Sequence, residues 1–270
     1  MLLVDGGDFI HRNGQDNFRE SLLTWDEMVR TGYHAVTLGE LELGQWDLVD
    51  SLLNNTALPV VCTNVEALRD GQWLPVGERY RLLEINGIRV GILGVIGPTQ
   101  LSPAVIRTAG DRVRLLPPEE AVRAAVAEIR ERTDIIVLLA HLDPQAMEQY
   151  AASLADVDVI LGGHMTLPDT GPLLSTHAIL NRGSTRGQLM AVTRVILSPD
   201  GRVVDFGGLN VTLDPALPED PGVAQAAESA KEAGERLIRE RNQRRERPVP
   251  PAQPASSEGK GGAADGGSDQ

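Results

Sequence analysis

The stretch PEEAVRAAVAEIRERTDIIVLLAH, Pro118 to His141, decides the fold class. Its first half opens with Pro118, Glu119 and Glu120 and closes on Arg130 and Arg132. Acids at the start and bases at the end complement a helix dipole, so the spacing predicts a helix over 118–132. The apolar run Ile135–Ala140 that follows reads as a buried strand delivering His141 at its C-terminal end. The same unit recurs at once, with a helix near Pro144–Leu154, a strand at Val157–Leu161 and the loop Gly162-Gly163-His164. Helices alternating with continuous apolar strands imply an α/β domain around a largely parallel sheet.

Working outward, the chain opens with the apolar run Leu2-Leu3-Val4 ending in Asp5-Gly6-Gly7-Asp8, a strand delivering a carboxylate. Because it opens inside a strand-like run, at least one strand and its loop are expected upstream. From Asp16 to Arg30, helical spacing of Phe18, Leu22, Trp25, Met28 and Val29 stops at Gly32 and leads to the run His34–Leu38 before Gly39-Glu40. A helix near Trp46–Leu53 and a strand at Pro59–Cys62 follow. Tyr80–Ile85 and Ile88–Ile96 then flank Asn86-Gly87, the signature of a hairpin. Downstream, Gln188–Leu197 and Val203–Phe206 flank the turn Pro199-Asp200-Gly201. Residues 216–246 form a polar helix with a thin stripe of Val223, Ala226, Ala230, Leu237 and Ile238, expected to cover a sheet edge. The Pro-, Gly- and Ser-rich stretch 247–270 reads as a disordered tail, leaving 1–215 as the main domain.

Composition narrows the function. With 41% apolar but only 3% aromatic residues, the core must be aliphatic. A net charge of -13 removes the basic stripe that nucleic-acid binding needs, and no run approaches a membrane span, so neither partner is expected. Cys62 is the single cysteine, which excludes a disulfide and a cysteine-ligated zinc site. The first residues lack the basic and apolar segments of a signal peptide. As written the chain reads as cytoplasmic, and as periplasmic or exported if a signal lies upstream. Composition leaves the oligomeric state open.

Four loops, each following an apolar strand-like run, present Asp8, Glu40, His141 and His164. C-terminal strand ends in an open α/β sheet converge on one crevice, where residues distant in sequence meet. Two carboxylates with two imidazoles suit Mn, Zn or Fe, and such ions activate water and clamp a phosphoryl group for hydrolysis. Taken singly each residue has a plainer role: an Asp in a Gly turn caps, and a His at a strand end packs.

Together the four loops resemble a family. Leu3-Val4-Asp5-Gly6-Gly7-Asp8, Leu38-Gly39-Glu40-Leu41-Glu42, Leu138-Leu139-Ala140-His141 and Leu161-Gly162-Gly163-His164-Met165-Thr166 are similar, in order, to the G-D, G-N-H-E, strand-His and G-H-x-H motifs of metallophosphoesterases, the calcineurin-like phosphoesterases. Pro59–Val65 and Ile179-Leu180-Asn181-Arg182-Gly183 resemble segments of the 5'-nucleotidase branch, and the likeness spans Leu2 to about Asp205. The resemblance implies a four-layer α/β/β/α sandwich, here lacking its first strand. It implies one or two divalent ions and hydrolysis of a nucleotide or another small phosphate ester. By motif position Asp8 would bridge two metals, His141 and His164 would bind the second, and Glu40 would stand in place of a metal-binding Asn. Asn64, Asn181 and Arg182 would meet the substrate.

The chain also departs from the family pattern. The opening D-x-H motif has no counterpart, and Thr166 stands where the second His of G-H-x-H would be. Leu41 replaces the His that assists the leaving group, so no catalytic acid or base is assigned; such assistance is worth roughly 10²- to 10⁴-fold. Glu40 for Asn adds a negative charge, which grips a cation and repels a phosphate dianion. Glu42 reads as a surface or capping carboxylate, and Asp5 as a turn residue or a support to the ligands. His34 and His177 carry no motif, while His11 lies in the loop after Asp8. Three readings stand: a metal-dependent hydrolase with a reduced ligand set, an inactive scaffold on the same fold, and a fragment whose upstream sequence carries the missing D-x-H strand and an export signal.

Overall fold

The computed structural model describes residues 1–10, 18–102, 105, 109–164, 171–183, 187–214 and 216–246. His11, Met165, Thr166 and the stretch 247–270 lie outside these residues.

The main sheet has six strands. Four run parallel: β6 (Ile88–Ile96), β8 (Ile135–His141), β9 (Val159–Gly162) and β11 (Ala178–Arg182). Antiparallel β5 (Arg81–Ile85) and β10 (Leu173–Ser175) close its two edges, giving the order β10-β11-β9-β8-β6-β5. The β5–β6 hairpin turns at Asn86 and Gly87, both at positive φ (53° and 80°), as a tight primed turn requires. All seven residues of β8 are buried, because a central parallel strand is covered on both faces.

A second, more broken sheet faces the first. Parallel β1 (Val4–Asp5) and β2 (Ala35–Val36) continue through the bridge between Val36 and Val60 into β3 (Val61–Arg69). On the far side β3 pairs with β4 (Gln72–Gly77) and β7 (Val113–Leu115). The ribbon β12 (Leu189–Leu197) with β13 (Val203–Thr212) also packs Val195, Leu197 and Phe206 into the space between the sheets.

Helices cover the outer faces. On the second sheet lie α1 (Phe18–Thr31), the single turn α2 (Glu40–Leu43) and α3 (Trp46–Asn55). On the main sheet lie α4 (Pro118–Ile129), continued by a 3-10 turn through Arg132, and α5 (Pro144–Ser153). Strand alternation sorts the apolar side chains into three separate interlayers. Ile136, Leu138 and Ala140 face α4 and α5, meeting Val122, Ala125, Ile129 and Met147. Their neighbours Ile135, Val137 and Leu139 face Ala35 and Val61 between the sheets. Val60 and Cys62 turn the other way, toward Trp25, Met28 and Val49. Three interlayers make four layers, the α/β/β/α sandwich expected.

The last helix, α6 (Pro221–Glu246), does not cover a sheet edge. It packs along α1, burying Ala230 and Ala233, while Leu237 remains 45% exposed. Small alanines allow close helix approach without a wide apolar stripe. No helix among the described residues is long and apolar enough to cross a membrane.

Candidate metal centre

The loops that follow β1 and β2 in the second sheet meet the ends of β8 and β9 in the main sheet. This brings Asp8, Glu40, His141 and His164 together, each offering one ligand-type atom within 4.8 Å of all the others. The approach depends on glycine. A Cβ on Gly39 would lie 2.3 Å from Asp8 Oδ1 and 2.6 Å from His141 Cε1, and one on Gly163 would lie 2.2 Å from the Gly6 carbonyl oxygen. Asp8 and His164 themselves adopt left-handed backbone (φ 63° and 51°), a conformation that Asp and His tolerate better than most non-glycine residues but still hold at a cost.

His141 is fully buried, with Nδ1 2.7 Å from the Gly6 carbonyl oxygen. A carbonyl only accepts, so Nδ1 carries a proton and Nε2 is the atom turned toward the carboxylates. Nε2 lies 2.7 Å from Glu40 Oε2 and 3.6 Å from Asp8 Oδ2. His164 Nδ1 lies 3.2 Å from the same Glu40 oxygen and 4.0 Å from Asp8 Oδ2. The rings meet edge to face at 5.0 Å.

Acidity around this point is strongly perturbed. Burial, reinforced by Glu40, pushes Asp8 up to about 6. Burial and the Asp8 charge push Glu42 up to about 7, and burial pushes Asp5 up to about 6 against the Gly7 N–H. For Glu40 burial also acts upward, but hydrogen bonds from His141 and His164 prevail and hold it well below the usual range. His141 is raised: burial lowers it, and Glu40 with Asp8 outweigh that. Four carboxylates crowded around two imidazoles form a cluster in want of positive charge. That charge pattern, the converging oxygen and nitrogen ligands and the fixed His141 tautomer fit a divalent cation.

The other sequence candidates stand outside this four-residue group. Asn64 is buried; its Nδ2 donates to the carbonyls of Ile96 (3.0 Å) and Leu116 (3.2 Å), and its Oδ1 accepts from Ile96 N–H (3.1 Å). Its side chain thereby fastens β3 to β6. Asn181 and Arg182 end β11, where Arg182 stands opposite Gly162. Asn181 Nδ2 donates to Thr193 Oγ1 (2.9 Å), on the β12 side. Leu41 gives its backbone N–H to Asp8 Oδ1 (2.9 Å), and its side chain packs on the helix-side core. His34 Nδ1 accepts from Leu3 N–H, and His177 Nε2 donates to the Leu154 carbonyl, so both serve the fold. Asp5 forms the expected turn, accepting from Gly7 N–H at 2.9 Å.

Glu42 departs from its expected surface position: it is fully buried beneath the centre. The expected capping is present, since it accepts from Gly39 N–H, but it also accepts from Asp8 and Ile10 N–H. The local signal was a Glu three residues after the glycine that starts a helical turn; its burial depends on the β1 loop, remote in sequence.

No family model matches the chain. The chain is 26% identical over 171 residues to a 5'-nucleotidase of Diplobatis ommata, covering 61% of this chain and 29% of that protein. In structure it is similar to a 5'-nucleotidase precursor from Thermus thermophilus, with a TM-score of 0.74 at 24% identity over 88% of this chain and 50% of that one. A calcineurin-like phosphoesterase, YfkN of Bacillus subtilis, aligns with a TM-score of 0.68 at 18% identity over 88% of this chain and 85% of that one. The chain thus spans under a third of the 5'-nucleotidase it matches in sequence and half of the one it matches in structure. The chain is therefore similar in sequence to 5'-nucleotidases and in fold to a calcineurin-like phosphoesterase.

Proposed function

We propose that this protein is a metal-dependent phosphoesterase acting on a nucleotide or another small phosphate ester, with a divalent ion held by Asp8, Glu40, His141 and His164. The observation that carries the reading is the convergence of those four ligand atoms, from four loops of two facing sheets, within 4.8 Å. Two left-handed ligand residues and glycines that let the loops approach within the reach of a Cβ hold this convergence in place. The sequence relatives, named 5'-nucleotidases, further support the hydrolase reading over the scaffold. Mn, Zn and Fe all suit the donor set. On this reading residues 1–215 form the phosphoesterase unit, with α6 an appendage against α1.

A divalent cation held by these residues would supply Lewis acidity toward water and the phosphoryl oxygens. The chain's own residues supply position. His141, held by the Gly6 carbonyl, would present Nε2 to the ion, and Asp8 and Glu40 would each offer it a carboxylate oxygen. Leu41 has no proton to give, so the leaving group departs without help from that position. Turnover is therefore expected to fall steeply as leaving-group pKa rises, with p-nitrophenyl esters far better than alkyl esters.

The test is elemental analysis after exposure to Mn²⁺ and Zn²⁺, on the wild type, His141→Ala and His164→Ala, followed by phosphatase assays on nucleotides and p-nitrophenyl esters. Metal retained by the wild type, lost in both variants and accompanied by hydrolysis supports the reading. A folded wild type that retains no metal refutes it.

A further inference from the structure

We propose that Glu42 is the positioning residue of this centre: it sets where Asp8 and Glu40 present their oxygens without being a ligand itself. The proposal rests on the metal-site reading above and adds to it a residue outside the ligand set. The parallel ladder between β1 and β2 has only two residue pairs, Val4 with Ala35 and Asp5 with Val36. Its last hydrogen bond runs from Thr37 N–H to the Asp5 carbonyl. Past that point the two loops that carry Asp8 and Glu40 have no sheet to hold them together.

Glu42 does that work. Its Oε2 accepts from Asp8 N–H and Gly39 N–H, both at 2.8 Å, and its Oε1 accepts from Ile10 N–H at 3.0 Å. Two donors come from the β1 loop and one from the β2 loop, so a single carboxylate bridges both. A return strap runs the other way, because Asp8 Oδ1 accepts from Leu41 N–H at 2.9 Å. One Asp8 oxygen is thereby committed to the β2 loop, and the other is left toward His141 Nε2 at 3.6 Å and His164 Nδ1 at 4.0 Å. Glu40 sits between the straps. Hydrogen bonds to an ionised or strongly polar carboxyl are short and directional, and three on one buried group hold Asp8 in its left-handed conformation. Groups that orient metal ligands in this way typically govern affinity by roughly 10- to 100-fold.

The experiment measures Mn²⁺ affinity, by the electron paramagnetic resonance of free Mn²⁺, and metal-free stability, by urea unfolding. It compares the wild type with Glu42→Gln and with a control, Val49→Ala. Val49 is fully buried in α3 within the helix-side core and takes no part in the centre. Glu42→Gln is expected to weaken Mn²⁺ binding by about 10- to 100-fold, while Val49→Ala, although less stable, stays within about twofold of the wild type. Should Glu42→Gln fail to fold, Glu42→Asp replaces it under the same thresholds, since it keeps the charge and both acceptors on a shorter arm. Affinity unchanged in the Glu42 variant overturns the proposal and leaves Glu42 a structural group. Equal weakening in Val49→Ala also overturns it, because general loosening then explains the loss. A wild type that binds no Mn²⁺ refutes the metal reading itself, a failure visible without any variant.

Discussion

Removing the His141 imidazole from the metal-free protein tests how the centre is held when no cation balances it. His141 makes two hydrogen bonds there, Nδ1–H to the Gly6 carbonyl and Nε2 to Glu40 at 2.7 Å. Its side chain is fully buried, and that of Glu40 is only 13% exposed, so water screens the pair weakly. Deleting one partner of a buried, hydrogen-bonded ion pair costs about 3–5 kcal/mol, chiefly because the other charge is left uncompensated. That is a large share of a typical stability of about 5–15 kcal/mol. His141→Ala, unfolded by urea in EDTA and followed by far-UV circular dichroism, is expected to lose about that much. Glu40 then faces only His164 Nδ1, at 3.2 Å, so part of the loss is expected to disappear when Glu40→Gln removes that charge as well, giving a double-mutant coupling of at least about 1 kcal/mol. A His141→Ala protein within about 1 kcal/mol of the wild type, or strictly additive effects, would refute the argument that this pair is buried and mutually dependent.

Further outcomes follow from the same geometry. Saturating Mn²⁺ is expected to raise the midpoint of thermal unfolding, since a ligand at a hundredfold its dissociation constant adds about 2.7 kcal/mol; differential scanning calorimetry with and without EDTA reads this, and no shift counts against the centre. Gly163→Ala forces a Cβ to 2.2 Å from the Gly6 carbonyl oxygen and is expected to lower both stability and Mn²⁺ affinity, checked by the same scans and by titration. Asp5, Asp8 and Glu42 are raised in the folded chain to about 6, 6 and 7, so the metal-free native state binds more protons than the unfolded chain. The raised His141 acts in the same direction. Stability in EDTA is therefore expected to fall as pH rises through this range, with unfolding temperatures higher at about pH 5.5 than at about pH 7.5. Cys62 is buried, and burial pushes its thiol up to about 12, so a thiol reagent is expected to label it only after denaturation.

Where periodicity was strong and contacts local, sequence and structure coincide. The helix predicted over 118–132 ends its α-helical part at Ile129 and finishes as a 3-10 turn through Arg132, and the Asn86-Gly87 hairpin is in place. The strand expected at Pro59–Cys62 instead runs from Val61 to Arg69. Its buried Thr63 and Asn64 break the apolar pattern, and their hydrogen bonds to Arg79, Ile96 and Leu116 are all non-local. The short strands β4, β7 and β10 carried no pattern at all; they exist because a neighbour offers an edge. Likewise α6 follows its helical signal, but its partner is α1 and not a sheet.

The same division holds at the candidate centre. Asp8, Glu40, His141 and His164 were legible because each ends an apolar strand-like run, and strand direction in an α/β sheet sends such ends to one side. That depends only on local periodicity and chain direction, which one sequence carries. Glu42 shows what packing decides. In Leu41-Glu42-Leu43 it reads as a capping group at the surface, yet it is fully buried because the β1 loop, more than thirty residues upstream, brings two amide donors onto it. Asn64 has the converse history, a polar residue after a strand whose donors the backbone of Ile96 and Leu116 consumes. Residue type and spacing determined which groups could serve chemistry. Only the tertiary structure decided which of them meet, because a polar side chain's partners are set by burial and come from elsewhere in the chain.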